Sequence, residues 1–149
     1  MKHKSLKNYT STVSASKSIS HIEETLAWHK AKSIVKTYDE NGLPEGIAFY
    51  LEFEGKLLPF KLPAHIHAVE KILSSGKPYT NENKIKEQAQ RTAWKIISDW
   101  IDSQLAMVEI DQAQMMEMFF QYIWDEKKNK SLFQLAQEKG VHNLLMLAR

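Results

Sequence analysis

No cysteine occurs in this sequence, and arginine occurs only twice, at Arg91 and Arg149. The first absence removes disulfides, thiol nucleophiles and cysteine-ligated zinc or iron–sulfur sites, and it fits a reducing compartment. The second leaves Arg91 as the lone internal guanidinium, whose planar fork favours specific pairing. Five Gly and four Pro in 149 residues are too few for a collagen-like or low-complexity chain. No run approaches the roughly 18 apolar residues of a membrane span. The polar stretch Asn8–Ser20 stands where a signal peptide would carry its apolar core, so neither a span nor a leader is expected and the cytoplasm is the expected location. An excess of one charge is missing as well: 20 basic residues meet 18 acidic ones, for a net charge of +2. Divided at Asn83, the first part carries 11 basic and 9 acidic residues and the second 9 and 9. Neither is a basic module of the kind that grips nucleic acid.

What is present suits one globular domain: 43% hydrophobic and 26% charged residues. Lys2, Lys4 and Lys7 precede the first acid, Glu23, and residues 1–8 read as a basic, flexible tail. Residues 9–80 read as a sheet-containing part and 81–149 as a helical part packed on that sheet. Tyr9–Val13 is β-branched and aromatic, a short strand by pattern. Ile19, Ile22, Leu26 and Trp28 then mark a helix, with Ser16 or Ser18 as its N-cap. Ile34–Tyr38, Ile47–Phe53 and Leu57–Leu62 are separated by the turn-rich Asp39–Glu45 and Glu54–Lys56, and their alternation predicts an antiparallel meander with one packed face. Ala64–Leu73 reads as a helix ended by Ser74–Pro78. From Lys84 the period becomes helical: Ile85, Ala89, Ala93, Ile96, Ile97, Trp100, Ile101, Leu105 and Val108 form one wide stripe. Asp111 is the expected cap of a second helix through Met115, Met118, Phe119, Tyr122 and Trp124, and Ser131 and Gly140 bracket a third. The expected order is β-α-β-β-β-α followed by three helices, an α+β class with a three- to four-stranded antiparallel sheet.

Catalytic patterns are sparse. His65 and His67, the closest histidine pair, point about 200° apart on a helix and so cannot chelate one metal. No phosphate loop, nucleophile elbow or His-Glu-x-x-His is present. The acidic neighbours Glu23-Glu24, Asp39-Glu40 and Asp125-Glu126 read as solvated positions. No catalytic residue, metal or cofactor is expected. Binding surfaces are better represented. Gln88, Arg91, Lys95 and Asp99 share one side of the long helix, a polar strip suited to a partner. Met115, Met118 and Tyr122 belong to the most apolar stretch, whose Met and aromatic content suits an adaptable contact or self-association. A nucleic-acid alternative places Lys36, Tyr38, Tyr50 and Lys61 on the open sheet face, where aromatics stack bases. Glu52 and Glu54 on that face oppose it.

Patches of the chain resemble short uncharacterised proteins of phage and prophage-like regions of bacterial genomes. The patches are Asn8–Val13, Ile22–Ala27, Pro59–Phe60–Lys61–Leu62–Pro63, Arg91–Lys95, Asp99-Trp100 and Gln104–Ala106. The resemblance spans Asn8 to Trp124 and implies a phage or mobile-element setting, without implying a chemistry. The resulting expectation is a non-enzymatic binding or accessory protein acting through protein–protein contacts with an unidentified partner. A nucleic-acid binder for phage replication or recombination is the alternative, and a small enzyme of unknown reaction the third.

Overall fold

The computed structural model describes residues 5–75, 81–111 and 113–148. At its centre lies an antiparallel sheet of β1 (Ser33–Tyr38), β2 (Pro44–Phe53) and β3 (Lys56–Pro63), in the order β1-β2-β3. Its two turns explain that order. Asp39 Oδ1 accepts from the amides of Asn41 and Leu43, while Gly42 takes a φ of +76° that side chains resist. Glu54 and Gly55, at φ +50° and +77°, form the two-residue turn whose twist matches the strands it joins. Ile34, Phe49 and Phe60 then stand opposite one another, and Ile123 bridges to Phe60, so a single apolar row crosses the sheet. Ile47, Leu51 and Leu62 flank it on the same face, all buried. Pro59 and Pro63 suit β3 because an edge strand tolerates missing donors.

One face of the sheet is covered by helices. α1 (Ala15–Trp28) is capped by Ser14, whose hydroxyl accepts from the Lys17 amide at 3.1 Å, ahead of the expected Ser16 or Ser18. Ile19, Ile22 and Leu26 are buried, but Trp28 is 84% exposed. It follows Leu26 by two positions, about 200° round the helix, and therefore leaves the stripe. α2 (Ile66–Ser74) follows the sheet, and α3 (Glu82–Glu109), capped by the Asn81 side chain, packs against both α1 and α2. α3 sends Trp94, Ile101 and Leu105 into the main core and Ala89 and Ala93 against Val69 of α2. The helical part therefore shares its core with the sheet. Fully burying a large apolar side chain contributes roughly 1.5–3 kcal/mol, so Trp94, Ile101 and Leu105 tie α3 to the sheet through burial.

Two expectations are corrected. Tyr9–Val13 forms no strand: Tyr9 donates to Leu6 O and Ser11 to Asn8 O, and Asn8 sits at φ +63°. The carbonyls of Ser11 and of the preceding Asn8 are taken instead by side chains of α3. Nor is Met115–Trp124 one helix. α4 covers only Met115–Phe119, a 3-10 turn spans Phe120–Tyr122, and the chain then extends into a hairpin of β4 (Trp124–Asp125) and β5 (Lys130–Ser131). Pairing of Ile123 with the free edge of β3, and burial of Phe119 edge-on to Phe49 and Trp100 at 5.3 and 5.6 Å, outweigh helical continuation. The cap of α4 is Gln114, in a reciprocal box with Glu117, and Asp111 lies in the turn after α3. α5 (Leu132–Lys139) has the expected Ser131 cap and Gly140 stop, and a 3-10 helix covers Val141–Ala148. The observed order opens with a helix rather than a strand, and the class is α+β with a three-stranded antiparallel sheet. Lys2 and Lys4, and the Gly76–Pro78 portion of the expected breaker, lie outside the described residues. No described helix is long and apolar enough to cross a membrane.

Candidate functional site

The polar strip of α3 is engaged by the chain itself. Gln88 Nε2 donates to Ser11 O at 3.1 Å and Arg91 Nε to the same oxygen at 3.3 Å, while Arg91 Nη2 donates to Gln88 Oε1 at 2.7 Å. The fully buried Thr92 hydroxyl donates to Asn8 O at 2.9 Å. Asp99 accepts from Asn8 Nδ2 at 2.9 Å and pairs with Lys95 at 3.0 Å and Lys7 at 3.4 Å. The strip thus clasps the segment Lys7–Ser11, and Lys7 is part of that clasp. Partial burial raises the Asp99 pKa, but the hydrogen bonds from Asn8 and Lys95, the Lys95 charge and the Lys7 bond together hold it below the usual aspartate value.

Met115, Met118 and Tyr122 are partly buried and pack against the main core, Tyr122 edge-on to Trp100 at 5.5 Å. They flank the core rather than stand open as a free face. The four residues of the nucleic-acid alternative are divided between two faces. Tyr50 and Lys61 lie on the outer face, where the Lys61 ammonium sits 4.4 Å from the Trp124 ring. Lys36 stands opposite the core residue Ile47, so it and Tyr38 project from the helix-covered side at the sheet's edge. Lys36 pairs there with Glu23 of α1 at 3.1 Å. The bond to Glu23, then its charge, hold the Lys36 ammonium above its ordinary value.

That edge brings residues of both groups together. A groove of about 510 Å³ runs between the start of α1, the β1–β2 turn and α3. Arg91, Lys36 and Tyr38 line it, with Ser14 and Ser16 from α1 and Lys86 and Gln90 from α3. Ile19, Leu43 and Pro44 give it an apolar floor, and Glu87 adds one acid to the rim. The volume falls within the range of about 300–1,000 Å³ typical of ligand sites. Tyr38 is 53% exposed, an aromatic standing among three cations. Gln90 was not singled out by sequence reasoning. It is nine-tenths buried and its amide oxygen has no hydrogen-bond partner among the described residues. The signal for it was a polar residue four before Trp94, on the apolar side of α3.

Other polar contacts are structural. His21–Asp102 at 2.8 Å and His29–Glu109 at 3.0 Å join α1 to α3 at two levels. His65 occupies the N-cap of α2 and His67, largely exposed, pairs with Glu70. Among the described residues no group of three His, Asp or Glu could hold a metal ion. Comparison with protein-family models, curated proteins and solved structures finds no match for this chain.

Proposed function

We propose that the protein is a binding or accessory factor acting through protein–protein contacts in a phage or mobile-element setting, and that the groove between α1 and α3 is its contact surface. One observation carries this reading: an open groove with an apolar floor and a cationic rim, at the edge of a rigid helix-on-sheet core. Apolar area surrounded by oriented polar groups is the composition of a protein contact. Tyr38 among Lys36, Lys86 and Arg91 favours a second reading, a single-stranded nucleic-acid contact through stacking.

Capture from a bacterial lysate, with and without nuclease, separates the two. Full-length wild type is compared with Leu43→Asp, which places a charge on the half-exposed floor residue without touching the core. A protein retained after nuclease by wild type and lost by the variant is the expected result. Proteins released by nuclease, with affinity falling steeply as salt rises, would establish the nucleic-acid reading instead. Identical capture by wild type and variant would remove the groove from the account.

A further inference from the structure

The two borders of the central sheet differ. β3 carries Pro59 and Pro63, and Ile123 bridges to Phe60 at its free edge. β1 has no proline, and among the described residues no segment other than β2 hydrogen-bonds to the backbone of Ser33–Tyr38. Five of its six residues are exposed, Val35 to 47% and Tyr38 to 53%. Such an edge offers a row of free amides and carbonyls to any chain able to pair with it. An inward-facing lysine ordinarily bars that pairing, but Lys36 is already held by Glu23 at 3.1 Å within its own protomer.

The residues of the strand single out its occupant. Read outward from Val35, Ser33-Ile34-Val35-Lys36-Thr37 is a palindrome in kind: a hydroxyl at each end, a long aliphatic stem on each side, and a β-branched centre. Directly opposed residues of an antiparallel pair lie on the same face, so a twofold axis normal to the sheet must set one residue opposite its own copy. With the axis at Val35, Val35 meets Val35 on the outer face and each Ser33 meets a Thr37, both favourable cross-strand pairs. On the helix-covered face each Lys36 stem lies over an Ile34 while its ammonium stays with Glu23. Moving the axis to Lys36 would set two lysines face to face and run the pairing across the irregularity between Thr37 and Tyr38. Moving it to Ile34 or Thr37 would pair fewer residues of the strand. A foreign strand would require none of this symmetry. The neighbouring helix leaves room as well: Ser16, Ser20 and Ala27, on the same side of α1 as Glu23, are small and exposed.

We propose that two copies of this chain associate through β1, antiparallel about a twofold axis at Val35, so that their three-stranded sheets join into one continuous sheet. The contact is isologous: one patch serves both copies, and the assembly closes at a dimer. The β3 borders lie at the far ends of the joined sheet and take no part. The pairing does not depend on what the groove between α1 and α3 binds.

The absence of cysteine makes this register directly measurable. Opposed Cα atoms of an antiparallel pair lie about 4.5–5.5 Å apart, inside the disulfide range of about 4.4–6.8 Å. Full-length Val35→Cys should therefore cross-link to its own copy when treated with oxidised glutathione. Ser33→Cys and Thr37→Cys, each alone, place the two thiols about 13 Å apart and should stay uncross-linked, whereas a mixture of these two variants should give the mixed dimer. Sedimentation velocity over a concentration series should show wild-type monomer and dimer in exchange. Val35→Lys sets two like charges opposite each other at an exposed position and should weaken self-association at least about tenfold, with the circular dichroism of the monomer unchanged. Should Val35→Lys fail to fold, the cross-linking pattern of the nearly isosteric Val35→Cys still decides. A wild type that remains monomeric throughout would overturn the proposal, as would a dimer indifferent to Val35→Lys, or Thr37→Cys alone cross-linking as readily as Val35→Cys. A monomeric wild type whose lysate capture is lost in Val35→Lys would assign the edge to a strand of another protein and exclude the second copy.

Discussion

Asp99→Asn tests the clasp between α3 and the N-terminal segment while keeping the shape of the side chain. The carboxylate accepts from Asn8 at 2.9 Å and pairs with Lys95 at 3.0 Å and Lys7 at 3.4 Å, with 27% of the side chain exposed. A shielded hydrogen bond to a charged group contributes about 1.5–3 kcal/mol, and an exposed ion pair about 0–1 kcal/mol. The replacing amide still accepts from Asn8 but without charge, so the loss at pH 7 should be about 1 kcal/mol. For a chain of this size that corresponds to a fall in Tm of about 2–4 °C. Because the folded protein holds Asp99 below its unfolded value, the charge adds stability at every pH above that unfolded value, near 3.9. The addition is lost as pH falls through the lower, folded value. Urea titrations of both proteins should therefore show a full stability gap at pH 7 and pH 5 that narrows progressively below pH 4. A gap that stays constant down to pH 3 would refute the assignment of the effect to the Asp99 charge. Hydrogen exchange should show faster loss of protection at Tyr9 and Ser11 in the variant, with the sheet amides changed only by the global difference.

Three further outcomes are expected. Phe119→Ala removes a fully buried ring that meets both Phe49 and Trp100, and thermal or chemical denaturation should show a loss of about 3–5 kcal/mol; a loss under 1 kcal/mol would mean that α4 does not complete the core. Gly55→Ala places a side chain at φ +77° with nothing within 4 Å of the new Cβ, so the cost is conformational alone, about 1 kcal/mol in equilibrium unfolding, and a neutral or stabilising result would contradict the left-handed turn. In a double-mutant cycle, Lys61→Met and Trp124→Leu should couple by about 0.5–1 kcal/mol through the cation and the ring; additivity would show that the outer-face contact contributes nothing.

Local rules made much of this fold readable. The inward row Ile47, Phe49 and Leu51, two positive-φ turns and the Ser131…Gly140 bracket of α5 each rest on neighbours in sequence, and each appears in the structure, whereas Phe53, next to the β2–β3 turn, is 42% exposed and leaves the packed face. What resisted reading depends on distant partners. Tyr9–Val13 has the residue types of a strand, but Ser11 and Asn8 give their carbonyls to side chains on α3. Met115–Trp124 has the composition of a buried helix, yet β3 offers an unpaired edge that only an extended Ile123 can meet. The strip Gln88–Arg91–Lys95–Asp99 was recognisable as a polar side of one helix, whereas its occupation by Lys7–Ser11 was not, because nothing in the helix specifies what lies against it. The groove was less legible still. Lys36, Tyr38 and Arg91 come from separate elements, and Gln90 stands out only once Trp94 is seen to be buried beside it.

The bridge between Phe60 and Ile123 also has a temporal meaning. On the ribosome the three strands and their inward-facing phenylalanines emerge well before the residue that closes the β3 edge. At about 5–20 residues per second, the nascent chain carries an open sheet border for several seconds. During that interval Pro59 and Pro63 interrupt the row of amides that β3 would offer to an intruding strand, and the chain's own guard against premature pairing is therefore placed on the strand that waits longest for its neighbour.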